Sequence, residues 1–426
     1  MPADQAFPRT SVPVVAEADL RERVRRVVDE TPVLDVHAHI YPPRFGPLLL
    51  WGIDELLTYH YLIAEVFRVA PIEYDRFFSM SKPQQADYVW RHLFVDRSPL
   101  SEACRGVLTV LQSLGLDVVR RDLGGIRRWF SSQEVEAHVE RVFELARVRR
   151  VIMTNDPFDP HERAVWMNGW ERDERFQAAL RIDPLLNDWH EAAGQLRELG
   201  YPATGDLGRS DRAAARRFLE DWVARIRPRY MAASLPPDFA YPQSGPRTAI
   251  LEECVLPVAR EARLPFAMMI GVRRGLNPAL RLAGDGAGRA DVSAIDRLCQ
   301  AFPENRFLVT MLSRENQHEL CVSARKHPNL HVFGCWWFLN VPSVIDEMTR
   351  ERIELLGLSF TPQHSDARVL EQLIYKWSHT REAIGAVLGD KYAGLARTGW
   401  PVTEGDIRRD VEELFGGAFD RFCAGG

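Results

Sequence analysis

At 426 residues, with 46% hydrophobic and 27% charged side chains, the chain has an ordinary globular composition, which excludes disorder, collagen and coiled coil. Its 54 Lys and Arg against 59 Asp and Glu give a net charge of −5, so it lacks the basic footprint of a nucleic-acid binder. No apolar run approaches the roughly 18–20 residues of a membrane span, and the opening Met-Pro-Ala-Asp-Gln lacks the charged-then-apolar pattern of a secretory signal. Cys104, Cys254, Cys299, Cys321, Cys335 and Cys423 lie far apart without a CxxC pair, as in a reducing compartment, and a cytoplasmic location is expected. Lysine is scarce (Lys82, Lys326, Lys376 and Lys391), which limits any mechanism that needs a buried lysine.

Short β-branched runs alternate with amphipathic stretches, the pattern of a parallel sheet with helical crossovers. Strands are expected at 33–37, 150–154, 176–182, 230–234, 265–270, 307–312, 330–334 and 358–361. Several are continuously apolar, as strands covered on both faces should be. Eight such units predict an α/β fold of (β/α)8 TIM-barrel type as a single domain over residues 1–426, with a doubly wound open sheet as the alternative. Residues 44–145 carry Trp, Phe and Leu at helical spacing and are too long for a bare loop, so a helical insertion after the first strand is expected over the barrel mouth. The stretches 235–245 and 284–288 read as turn-rich or flexible loops on that face, and 404–422 as a helical segment packed on the outside.

Asp35-Val-His37-Ala-His39 ends the first strand. Residues two apart in a strand share a face, so His37 and His39 can both look into the mouth, half of a site for a divalent transition metal. The blander reading is one packed and one exposed histidine. Asp366 and Arg368 follow the last predicted strand, in His364-Ser-Asp366-Ala-Arg368, beside the first strand if the barrel closes. Asp366 could complete the metal site or act as a general base; alternatively Ser365 and Asp366 simply cap a helix over 369–376.

These two anchors together resemble the amidohydrolase superfamily, and further segments resemble its uronate isomerase family. Tyr59-His60-Tyr61 carries a pair similar to that family's His-Tyr. Thr154-Asn155-Asp156-Pro157-Phe-Asp159 is similar to Thr-Asp-Asp-Pro-x-Asp, and Arg181-Ile-Asp183-Pro184 to Arg-Pro-Asp. Gly334-Cys-Trp336-Trp337-Phe338 resembles Gly-x-x-Trp-Trp-Phe, and Asp366-Ala-Arg368 resembles Asp-Ser-Arg. The matches run in order from about residue 30 to about 380. Two departures stand out. Met268-Met269-Ile270-Gly271 replaces Leu-His-Ile-Gly in the fifth strand, and Ala233-Ser234-Leu235-Pro236 replaces Ser-Asp-His-Gly after the fourth.

The resemblance implies a metal-dependent aldose–ketose isomerase of a hexuronate, converting glucuronate or galacturonate to fructuronate or tagaturonate, or acting on a related acidic sugar. It implies one divalent ion on His37, His39 and Asp366, zinc ahead of manganese. It further implies Tyr61 with Arg368 as a proton shuttle, where the cation would lower the phenol's pKa, and His60 near a sugar hydroxyl. Arg181 would clamp the substrate carboxylate, with an ion pair to Asp183 as its plainer role. Trp336 and Trp337 would divide between core and sugar pocket, and Arg314 would touch the carboxylate or support a residue that does. The partner is then a small acidic sugar, with neither nucleic acid nor membrane; the insertion could supply an interface for a homo-oligomer. Two other readings stay open, a metal-dependent hydrolase or decarboxylase acting on a small carboxylate, and a catalytically silent sugar-acid binder.

Overall fold

The structure, a computed structural model, describes residues 14–169 and 172–425. Its centre is a curled, all-parallel sheet of seven strands in the order β1 to β7. These are β1 (Val33–Ala38), β2 (Val148–Asn155), β3 (Phe176–Arg181), β4 (Met231–Leu235), β5 (Phe266–Ile270), β6 (Phe307–Met311) and β7 (Leu330–Val332). Each is joined to the next by helix, as parallel strands require. Side chains of the sheet fall into two buried layers. Val33, Ala38, Met268 and Val309 pack outward against helices, while Leu34, Val36, Ala232, Met269 and Leu308 fill the inside of the curl.

The eighth expected run does not form a strand. Within 358–361 only Thr361 pairs with the sheet, in a single bridge to Phe333. Pro362 follows and has no N–H to donate to a ladder, so regular pairing stops there. The chain nevertheless bonds to both edges of the sheet. Gly334 N–H donates to Thr361 O at 2.9 Å and Thr361 N–H to Val332 O at 3.0 Å, while Asp366 N–H reaches His37 O at 3.0 Å and His39 N–H reaches Ala367 O at 2.7 Å. Residues 361–367 are called the closing segment below.

Between β1 and β2 the chain is helical, from Pro43–Leu48 through His60–Val69 to Val135–Ala146. Gly286–Ala287, expected within a flexible loop, pairs instead with Val272–Arg273 in a short antiparallel ribbon. This ribbon loop leans on the insertion through Asn277 Nδ2 to Tyr74 Oη (3.2 Å) and Arg281 over the Phe78 ring (4.3 Å).

The C-terminal stretch divides: helix Glu404–Glu412 packs on the outside as expected, with Ile407 and Val411 in the outer layer, whereas the residues after it turn inward. Helix Ala418–Ala424 places Phe419 in the inner layer, fully buried and 6.1 Å from the Tyr230 ring. The segment before it passes so close under β1 that a Cβ on Gly416, at φ +138°, would meet Leu34 Cβ at 2.8 Å; only glycine allows that approach. An apolar face of a terminal helix is as well buried across an open barrel end as on a barrel side, and the sequence pattern alone cannot distinguish the two.

Candidate active site

The local build of β1 explains how two histidines reach the inside of the curl. Pairing with β2 slips between Asp35 and Ala38, and alternation breaks there: Val36 packs inward, Ala38 outward. Such an irregularity re-aims the residues beside it. His37 Nε2 lies 3.5 Å and His39 Nε2 3.4 Å from Asp366 Oδ1, and the three ligand atoms lie within 4.8 Å of one another. Asp366 comes from the closing segment in a left-handed conformation, φ +49°. It does not cap a helix, since the next one, Gln372–Arg397, starts later. Gln372 Oε1 instead accepts the Arg368 and Val369 N–H groups.

Hydrogen bonds behind His37 fix its tautomer. Tyr230 donates its hydroxyl to Val36 O at 2.8 Å, and Thr154 donates its own to Ala38 O at 3.2 Å. Both oxygens also lie near His37 Nδ1, at 3.2 and 3.4 Å, and with their protons directed elsewhere they accept from it. Nδ1 therefore carries a proton, and Nε2 is the nitrogen turned toward Asp366. Burial, helped by the Arg368 guanidinium, pushes His39 down to about 3, so it is a neutral imidazole. Burial pulls Asp366 upward but is outweighed by its contacts with the two imidazoles, and its carboxyl sits well below the usual range. Two imidazole nitrogens and a carboxylate oxygen thus converge in a dry site, an arrangement that a bound cation would satisfy. Two nitrogen donors and one oxygen with room left over fit a divalent ion of catalytic type.

These residues open into a tight cleft, about 30 Å³ of space for water-sized groups, that is also lined by His60, Thr154, Arg181, Asp183, Ala232, Ala233, Ser234, Met269, Arg274, Trp336, Trp337 and Arg368. Arg181 grips Asp183 with two bonds of 2.9 Å, the pairing foreseen as its plainer role, inside the cleft wall rather than at the surface. Arg274 pairs with Asp285 on the ribbon loop. Arg368 has no carboxylate partner among the described residues.

His60 stands at the start of its helix, and burial, then Arg368, holds it near 3; its Nε2 is buried without a hydrogen-bond partner. The Trp337 indole N–H is a second such orphan, the two rings being 5.6 Å apart. Buried orphans on a cleft wall are what a hydroxylated ligand would satisfy. Trp336 and Trp337 do not divide their roles, since both line the cleft and both are buried in the inner layer. Tyr61 packs behind His60, ring centroids 4.5 Å apart. Burial, with Tyr59 and Asp366 nearby, drives its phenol well above 10, opposite to the lowering expected from Arg368 alone. Arg314 is exposed, pairs with Glu347 at 2.7 Å, and stands apart from the cleft.

Sequence reasoning passed over Tyr230, Thr154, Lys376 and Glu162. Glu162 is 2% exposed and pushed up to about 7 by burial. It gathers Tyr41 Oη, Asn155 Nδ2 and the Asp156 N–H around the end of β2, beside Thr154. The signals were faint but present: a tyrosine opening a run of small apolar residues, and a lysine inside the apolar stretch Leu373-Ile-Tyr-Lys376-Trp377.

No protein-family model and no curated protein matches the chain. Solved structures do. The chain is similar to a uronate isomerase from Bacillus halodurans C-125, at 52% sequence identity and TM-score 0.95 over 97% of this chain and 98% of that one. In fold it is also similar to a uronate isomerase from Thermotoga maritima, at 14% identity and TM-score 0.75 over 96% and 98% of the two chains. A glucuronate isomerase from Caulobacter crescentus gives 15% identity and TM-score 0.62 over 100% and 97%.

Proposed function

The chain belongs to the uronate isomerase family, and we propose on that premise that it interconverts a hexuronate aldose, glucuronate or galacturonate, with its ketose. The observation that carries the reading is the meeting of three metal-type donors with an unpaired guanidinium and two orphaned ring nitrogens in one cleft. An acidic, polyhydroxylated substrate answers each of them. His37, His39 and Asp366 would hold one divalent ion, zinc in our reading. When bound, it would hold substrate oxygens and offset developing negative charge.

The isomerisation moves one hydrogen from C2 to C1 and one proton from the C2 oxygen to the C1 oxygen, with nothing gained or lost. Asp366 is ionised, whereas the other carboxylate of the cleft, Asp183, is neutralised by Arg181; Asp366 is therefore read as the base at C2. Tyr61 keeps its proton at neutral pH and is read as the group that carries it between the two oxygens. Arg368, without a carboxylate partner among the described residues, is read as the contact for substrate oxygens, and Arg181 as a wall residue whose remaining N–H groups reach the sugar acid. Neutral His60 and the Trp337 N–H meet hydroxyls, and the Trp336 ring covers the sugar's C–H face.

The closing segment is read as an eighth stave that completes a (β/α)8 barrel, with the helices of 44–145 as a single insertion over its mouth. Among the described residues no helix is long and apolar enough to cross a membrane, and all six thiols are free, which supports a reducing, cytoplasmic setting. Metal-replete protein incubated with glucuronate or galacturonate in heavy water tests the function. Ketose formation with deuterium incorporation is expected by NMR. Release of a fragment or of carbon dioxide, or no change with either sugar despite bound metal, contradicts it.

A further inference from the structure

Behind the closing segment lies a buried cation that the chemistry above does not use. Lys376, on helix Gln372–Arg397, is 3% exposed, and its ammonium donates to Ser365 O at 2.6 Å. Among the described residues no carboxylate pairs with it. Asn340 Nδ2 donates to the same carbonyl at 3.0 Å. On the other side of the same residue, Ser365 N–H donates to Asp35 Oδ1 at 2.9 Å, and Asp35 Oδ2 accepts the Trp377 indole N–H at 3.0 Å. Ser365, the residue that leads into Asp366, is thus held on both sides, by a cation on its carbonyl oxygen and by Asp35 on its N–H.

That grip matters because Asp366 occupies the left-handed region without being glycine, a conformation that persists only where the surroundings over-determine it. Hydrophobic packing would bury the helix equally well with methionine at 376, so the unpaired ammonium has no packing reason to be there. Its nitrogen also lies 5.8 Å from the Tyr61 ring centroid. One buried cation therefore contacts both the turn that aims Asp366 and the face of Tyr61.

We propose that Lys376 is a positioning residue for the reaction, holding the Asp366 turn and the Tyr61 ring in register through its bond to Ser365 O. The proposal rests on the roles given above to Asp366 and Tyr61. It predicts that Lys376→Met weakens binding of Mn²⁺ to the apoprotein by about 10- to 100-fold, measured by electron paramagnetic resonance, as loss of a group supporting a metal ligand does. It also predicts that kcat for the hexuronate falls at least tenfold while KM moves less than about threefold. Asn340→Leu, which removes the other donor to that carbonyl and leaves all charges in place, should shift Mn²⁺ affinity the same way by a smaller factor. Lys376→Met with wild-type Mn²⁺ affinity and kcat, even if it melts lower, would overturn the proposal, because a purely structural lysine behaves that way. Should that variant fail to fold, Asn340→Leu with unchanged Mn²⁺ affinity overturns it instead. If the wild type turns over no hexuronate, the function above fails while the Mn²⁺ comparison still decides the role of Lys376.

Discussion

The two walls of the cleft are built on different terms. The wall made by β1 and the closing segment is polar and tied down: His37 is backed by Tyr230 and Thr154, and Asp366 by its neighbour Ser365, held between Asp35 and Lys376. The wall made by β4 and β5 offers Ala232, Ala233, Ser234 and Met269, and neither imidazole nor carboxylate. Where the family resemblance leads one to look for two further histidines, Met269 lies in the inner layer at 2% exposure and Leu235 in the outer layer at 1%. That space is filled. The contrast teaches that the residues able to hold a metal lie on one side, so that whatever completed the coordination of a bound ion would come from the cleft itself, as substrate or water.

Removing a donor from the polar wall should have the largest effect. His37→Ala and His39→Ala should each lose stoichiometric metal by elemental analysis and lower kcat/KM by roughly 10³-fold or more, the several kcal/mol a bound cation contributes at developing charge. Full metal content in both variants would remove the asymmetry between the walls.

The arginines sharpen it. Arg368→Met should reduce kcat/KM by about 100-fold, through loss of charge-assisted hydrogen bonds to substrate. Arg181→Met should raise KM by less, about tenfold, because Asp183 already holds one edge of that guanidinium with two bonds. Equal losses, or the reverse order, would return the carboxylate clamp to Arg181.

Tyr230→Phe leaves the ring and removes one of the two acceptors for His37 Nδ1–H, the nearer one. Metal affinity should fall by about 10-fold, with the melting temperature nearly unchanged. Met269→Ala probes the apolar wall. It should lower stability by roughly 2–4 kcal/mol in denaturant titration, as truncation of a buried methionine does, yet leave metal content intact and kcat within about fivefold.

The smallest effect is on pH dependence. His331 lies away from the cleft and bonds Thr361 Oγ1 at 2.9 Å; burial, with Arg352 and Arg421 nearby, holds it at about 3. The folded chain therefore keeps it neutral, while the unfolded chain protonates it below its ordinary value of 6.5. Its contribution is fully present near pH 7 and is lost as pH falls from 6.5 toward 3, by up to about 1.4 kcal/mol per unit. His331→Asn should flatten the fall in melting temperature between pH 7 and pH 4 relative to the wild type. Parallel curves would contradict the depressed value.

Much of the polar wall was legible in the sequence because its donors sit in short local patterns, His-Ala-His at a strand end and Asp-Ala-Arg after the last run. The supports were not. Tyr230 reaches His37 across the inside of the curl from a segment 193 residues away, and Lys376 reaches Ser365 only because helix Gln372–Arg397 folds back on the closing segment. Neither relation has a spacing to read. The eighth strand was overcalled because Leu358-Ser-Phe-Thr361 has strand composition, whereas Pro362 and the left-handed Asp366 make regular pairing impossible. Arg181 shows the converse. Its motif was legible, but only the fold shows that Asp183 occupies its guanidinium.

The central claim is that the polar wall alone holds one cation. Anomalous diffraction from crystals of metal-loaded protein, collected at the absorption edge of the loaded metal, tests it most directly. A single peak bounded by His37 Nε2, His39 Nε2 and an Asp366 carboxylate oxygen is the predicted result. A peak ligated from β4 or β5, a second peak across the cleft, or no peak at the three donors in metal-loaded crystals would contradict it.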